Sequence, residues 1–192
     1  MHPPAASTVL KTVLICDLAD STALLERLGD ARAASVFARH DELVRALVAE
    51  HQGRELDKSD GFLLLFDRPL NAVRFALDYH AGLARLSSEL SVPLAARVGI
   101  HLGELLVREN PPELVSRGAK PVEAEGLPKA MAARLMAAAR PGQILLTRGA
   151  YDLARRGAVG ERGAEGLRWS SHGTHRFKGV SDPVEVFEVL AG

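Results

Sequence analysis

Residues Val13–Thr22 read VLICDLADST. With Thr12 in front, TVLIC is a short β-branched and apolar run that stops at Asp17, and the following Ala-Asp-Ser-Thr offers N-cap side chains. The pattern predicts a strand, a tight turn and a helix. From Asp30 to about His51, Val36, Phe37, Leu43, Val44, Leu47 and Val48 recur at helical spacing with Arg and Glu opposite, and Gln52-Gly53 ends the helix.

Working outward, Arg54–Leu56 and Phe62–Phe66 flank Asp57-Lys58-Ser59-Asp60-Gly61, a polar segment suited to joining two antiparallel strands. Asp67 and Pro69 open a helix carried by Val73, Ala76, Leu77, His80 and Leu83. Leu94–His101 and Glu104–Arg108 read as a strand pair about Gly103. Glu109–Val122, with Pro111, Pro112, Gly118 and Pro121, reads as a long loop. A helix over Leu127–Ala139, a strand over Gln143–Thr147 and a short helix over Ala150–Arg156 follow. Strands at Gly173–Lys178 and Val184–Leu190 complete the chain.

The order βαββαβ, then αβαββ, favours an α+β sandwich with a mixed sheet and helices on one side over a doubly wound parallel sheet. No G-x-G-x-x-G follows the first strand, and there is no Walker lysine motif. A chain of 192 residues suits one domain, here residues 9–192 behind a flexible lead-in at 1–8. The 24 basic and 24 acidic residues give a net charge of zero, so neither nucleic acid nor an anionic membrane is the expected partner. One cysteine, Cys16, excludes an intrachain disulfide. No apolar window is long enough to span a membrane, and Met1–Thr8 lacks the pattern of a signal peptide, so a cytoplasmic protein without membrane insertion is expected.

Two acids stand out by placement: Asp17 at the end of the first strand and Asp60 in the hairpin tip. A sheet of this order sets the first strand beside the hairpin, so both carboxylates can converge at one end. Hard carboxylate oxygens suit Mg²⁺ or Mn²⁺, and a pair of such ions clamps an in-line attack on phosphorus. The same residues also read more plainly, with Asp17 and Asp20 as helix caps and Asp60 as a turn former.

VLICDLADST and Asp57–Phe66 (DKSDGFLLLF) resemble the two metal motifs of the class III adenylate and guanylate cyclases. Arg97–Glu104 (RVGIHLGE) is similar to the family's central hairpin. Glu123–Leu135 (EAEGLPKAMAARL) resembles its glycine, asparagine and arginine segment. Pro141–Thr147 (PGQILLT) and Phe177–Val189 (FKGVSDPVEVFEV) are similar to its closing strands. The resemblance spans Thr12–Val189. It implies a ferredoxin-like βαββαβ sandwich with additional αβ elements, working as a head-to-tail homodimer whose sites lie across the interface. One protomer would supply the metal ligands Asp17 and Asp60. The other would supply the groups that hold a nucleoside triphosphate, with Arg134 on the α-phosphoryl and Lys178 on the terminal phosphates. Two Mg²⁺ or Mn²⁺ ions are the implied cofactors.

Four positions depart from the family. Ala130 stands where it has an asparagine, four residues before Arg134, and Asp20 where it usually has glycine. The hairpin is one residue short, so the base-selecting lysine is either replaced by Leu56 or supplied by Lys58. Glu123 takes the place of an aspartate that reads the adenine amino group. The implied activity is conversion of ATP, less readily GTP, to the 3′,5′-cyclic nucleotide and pyrophosphate. The alternative is a catalytically silent cyclase-like module that binds nucleotide or a protein partner.

Overall fold

A computed structural model describes residues 7–59, 61–162 and 164–192. Strand β1 (Ser7–Leu18) is longer than the TVLIC run predicts and takes up residues 7 and 8 of the expected lead-in. Helices α1 (Ser21–Leu28) and α2 (Asp30–Glu50) follow, then β2 (Arg54–Ser59), β3 (Gly61–Phe66), α3 (Pro69–Leu90) and β4 (Ala96–Glu109). The second half comprises α4 (Pro112–Val115), β5 (Val122–Glu125), α5 (Leu127–Ala138), β6 (Ile144–Thr147), α6 (Arg148–Ala158), β7 (Arg168–His175) and β8 (Val184–Leu190).

These strands form one eight-stranded sheet in the order β2-β3-β1-β4-β6-β8-β7, with β5 paired to β4. The β2-β3-β1-β4 portion is the ferredoxin-like core expected from the βαββαβ order, and only the β4–β6 pairing is parallel. Alternation along β1 separates two layers. Leu14, Cys16 and Leu18 join Val44, Phe62, Phe66, Phe75 and Tyr79 in the main core beneath α2 and α3. Val13 and Ile15 face the other way and pack with Leu63, Leu65, Leu105, Ala124 and Ala132 of α5.

Four expectations are corrected. The predicted strand pair around Gly103 is one continuous strand, because Gly103 makes no turn: it passes beneath α5, where a Cβ would lie 2.5 Å from Pro128 Cγ. The helices are not confined to one side, since α5 crosses the opposite face of β4. A Cβ on Gly99 would collide with the Ala132 carbonyl and the Met136 amide, so backbone packs directly on backbone. The loop expected over Glu109–Val122 contains α4, and β5 follows it. Its turn Asn110–Pro121 is closed by an Asn110 N–H to Pro121 O bond of 2.9 Å. The strand expected at Gly173–Lys178 lies earlier, at Arg168–His175, with a register shift between Ser171 and Thr174.

Candidate functional site

Asp17 follows Val13 and Ile15 on the α5-side face of β1, where its cross-strand partner is Arg97 of β4. Arg97 Nη2 donates to Asp17 Oδ2 at 3.1 Å, with both side chains roughly 30% exposed. Arg97 Nε is buried and has no hydrogen-bond partner among the described residues. The start of β3 packs tightly against this end of β1: Gly61, at φ +96°, leaves no room for a Cβ against the Cys16 carbonyl. Its neighbour Asp60 lies outside the described residues.

Asp20, where the family usually has glycine, takes a left-handed conformation (φ 56°, ψ 32°) at the N-cap of α1, and its side chain makes no capping bond. Aspartate is one of the few residues other than glycine that adopts this region readily, so the turn keeps its shape while gaining a carboxylate.

Arg134, on α5, reaches the turn that carries Lys178. A Cβ on Gly179, at φ +76°, would lie 3.3 Å from Arg134 Nη2, so the Lys178-Gly179 turn rests against that guanidinium. Arg134 Nη1 is buried without a hydrogen-bond partner, and Lys178 is exposed. Ala130 lies one helical turn before Arg134 on the same face of α5, and it is partly buried.

No protein-family profile matches the chain. It is 26% identical over 181 residues to a Rhizobium meliloti (strain 1021) protein named "Putative adenylate cyclase 3", an alignment covering 93% of this chain and 28% of that one. The chain thus spans less than a third of that relative. The adenylyl cyclase CyaB from P. aeruginosa superposes with a TM-score of 0.85 over 98% of this chain and 97% of that one, at 18% identity. The guanylate cyclase domain of RhGC from Catenaria anguillulae, solved in complex with GTP, superposes at 0.80 over 97% and 99%, with 15% identity. This is the class III nucleotide cyclase fold.

Within the cyclase fold, strand β2 carries a bulge. The β2–β3 register shifts between Glu55 and Asp57, and Leu56 packs into the α5-side core. Lys58 is paired with Phe62, whose ring belongs to the main core, and its ammonium forms an ion pair with Asp41 of α2. Lys58 therefore points to the helical face, away from Asp17. Asp57 is paired with Leu63 on the α5 side, and Lys120 Nζ lies 2.8 Å from Asp57 Oδ2, which holds the Asp57 carboxyl below the usual range. Glu123 accepts a 3.3 Å bond from Asn110 Nδ2; its neighbours Val122 and Ala124 are buried.

His101, on the α5 face of β4, shares a 2.9 Å hydrogen bond with Thr147 Oγ1, and burial lowers its pKa to about 4. Among the described residues, Glu50, His51 and Asp78 form a group whose ligand atoms lie within 4.8 Å of one another. It sits on the helical face, where His51 packs on Phe75, and is not the Asp17 site. Sequence reasoning assigned no role to Arg97 or Lys120. Arg97 is legible in retrospect as a cation standing opposite Asp17 in an antiparallel pair.

Proposed function

We propose that this domain is a nucleotidyl cyclase that converts ATP to 3′,5′-cyclic AMP and pyrophosphate, with its site completed across a head-to-tail homodimer. The observation that carries this reading is the pair of buried, unpartnered guanidinium nitrogens, Arg97 Nε and Arg134 Nη1, on the side of the sheet that bears Asp17. A buried donor left unsatisfied costs about 1–3 kcal/mol, a cost removed when an anion supplies the missing acceptors. A polyphosphate is such an anion.

The carboxylates fit hard divalent cations: Asp17 is partly exposed at a strand end, and Asp60 is the residue after Ser59 in the sequence. Bound Mg²⁺ or Mn²⁺ supplies Lewis-acid activation of the attacking 3′-oxygen and neutralises charge on the departing pyrophosphate. Asp17 and Asp60 hold that charge in place. Arg134 orients the α-phosphoryl, with the Gly179 turn leaving its guanidinium room, and Lys178 meets the terminal phosphates. Arg97, already a donor to Asp17, has a second nitrogen to offer the phosphate chain. Arg134 lies against the Lys178-Gly179 turn while Asp17 ends β1, and a second copy would supply the complementary half. Glu123 lies on β5 with its carboxylate turned from the Ala124 face toward Asn110.

A silent nucleotide-binding module is the second reading, favoured by Ala130, which leaves no amide one turn before Arg134. Incubating the protein with ATP or GTP and Mn²⁺, and separating the products by chromatography, tests both. Cyclic AMP with pyrophosphate supports the cyclase; bound but unchanged nucleotide supports the silent module.

A further inference from the structure

The turn after β1 and the helix it starts set Asp20, Ala23, Leu24 and Arg27 in one stripe, spaced i, i+3, i+4 and i+7. Facing the stripe are Ala84 and Ser87 of α3, Pro93 and Leu94 before β4, and Pro141. Between these walls lies a cavity of about 640 Å³, a size typical of small-molecule clefts. The walls are mostly apolar, and Ala84 and Pro93 are exposed. Ser87 is already satisfied: its Oγ donates to Leu83 O at 2.8 Å and accepts from Leu94 N–H at 2.9 Å. A smaller space of about 250 Å³ shares Ala84, Leu94 and Ala95 with the first and reaches His80, whose buried Nε2 has no hydrogen-bond partner among the described residues. Buried polar atoms nearly always have a partner, and this one borders a space large enough to hold one.

Two charged side chains line the larger cavity. Arg27, in the last turn of α1, is exposed and forms no ion pair among the described residues. Asp20 stands seven residues before it, about 10 Å away along the helix at 1.5 Å per residue. Asp20 also lines the cleft of Asp17 and Arg97, whereas Arg27 lines this cavity alone. Burial lowers the pKa of His80 to about 4, so its ring is neutral near pH 7 and leaves Arg27 as the cation among the lining residues.

We infer that this cavity binds a small apolar carboxylate, its hydrocarbon body between Ala23, Leu24, Ala84 and Leu94 and its acid group on Arg27. A guanidinium donates to a carboxylate through two N–H groups at once, which fixes direction as well as affinity. Asp20 repels an acid at the opposite end of the stripe and so sets which way the molecule lies. The inference goes beyond the cyclase reading and needs neither nucleotide nor metal.

The test titrates octanoate, octanol and octylamine separately into the full chain, followed by isothermal titration calorimetry and by backbone amide shifts. Octanoate is expected to bind saturably and to move the amides of Asp20, Arg27, Ala84 and Leu94 together. It is expected to bind about tenfold more tightly than octanol, the advantage of one charge-assisted pair. Arg27→Ala is expected to abolish that advantage. Ala84→Trp, which fills the cavity from an exposed helix position, is expected to abolish binding of both with an unchanged far-UV CD spectrum. Glu26→Ala, on the neighbouring cleft, is expected to leave octanoate binding as it is. Octanoate that fails to saturate, binds no better than octanol or octylamine, or keeps full affinity in Arg27→Ala overturns the assignment. Equal binding to the unmodified chain and to Ala84→Trp places the acid on another surface and overturns it too. None of these readouts depends on turnover, so a chain that forms no cyclic nucleotide overturns the cyclase reading and leaves this inference standing.

Discussion

Arg97 Nη2 donates to Asp17 Oδ2 at 3.1 Å across the β1–β4 pair, so the carboxylate best placed to hold a metal ion already has a cation beside it. A positive neighbour a few ångströms away opposes binding of a second cation. Arg97→Ala is expected to lower the Mn²⁺ concentration needed for half-saturation by about two- to fivefold, because an exposed-to-partly-buried pair contributes about 0.5–1 kcal/mol. Turnover is expected to fall in the same variant. Metal titrations that show weaker Mn²⁺ binding would contradict the assignment of Asp17 as a ligand opposed by Arg97.

Asp17→Ala is expected to abolish metal-dependent turnover with an unchanged far-UV CD spectrum, since it removes a hard ligand without emptying either core. Arg134→Ala is expected to be similarly inactive. Mixing the two inactive proteins is expected to recover activity, because a mixed dimer holds one site with both halves intact. Dimers confirmed by light scattering that show no recovery would exclude a site shared between copies.

Ala130→Asn is expected to raise the turnover number about 10- to 1000-fold with little change in nucleotide affinity, as befits a donor used chiefly in the transition state. Position 130 is a helix interior of good formers, so the cost in stability is about 0.5 kcal/mol. Steady-state kinetics on the folded variant provide the check, and an unchanged turnover number would show that the missing amide is not what limits the reaction.

His80 is largely buried in α3, and desolvation lowers its pKa to about 4, while in the unfolded chain it titrates near the ordinary value of 6.5. The unfolded state therefore binds the proton more readily. The contribution is complete above pH 6.5 and is lost as pH falls through the window down to about 4, amounting to about 1–3 kcal/mol. Thermal melts across that window are expected to show a falling Tm, and His80→Phe is expected to flatten the slope. A slope unchanged by the substitution would place the proton uptake elsewhere.

Much of the architecture was readable because it rests on short-range signals. The TVLIC run, the FLLLF strand and the closing VEVFEVL strand each declare their type by apolar density, and β8 falls on the predicted residues. What escaped the sequence depends on a second element. Gly103 carries the same letter whether it turns the chain or lies flat beneath Pro128, and only the position of α5 decides between them. Likewise β5 has four residues and pairs only with β4, too short to announce itself beside the prolines of 111, 112 and 121. At the site, Asp17 was legible from its place at a strand end. The shortened hairpin was legible as an anomaly, but not the bulge at Leu56 that changes which side chains face which layer and leaves Lys58 paired with Asp41.

Gly99→Ala is expected to destabilise the domain by about 1–3 kcal/mol and lower Tm by several degrees, because its methyl group would meet backbone atoms of α5 and not a yielding side chain. A melt indistinguishable from wild type would mean that α5 can lift from the strand at no cost.

That seat has a mechanical meaning. Helices usually ride on a sheet through a layer of side chains whose rotamers give them some play; α5 has almost none over Gly99, where its main chain bears on the main chain of β4. Arg134, carried by α5, and Arg97, carried by β4, are thereby fixed to a single stiff body. A signal that turns such a domain on or off gains little purchase inside it.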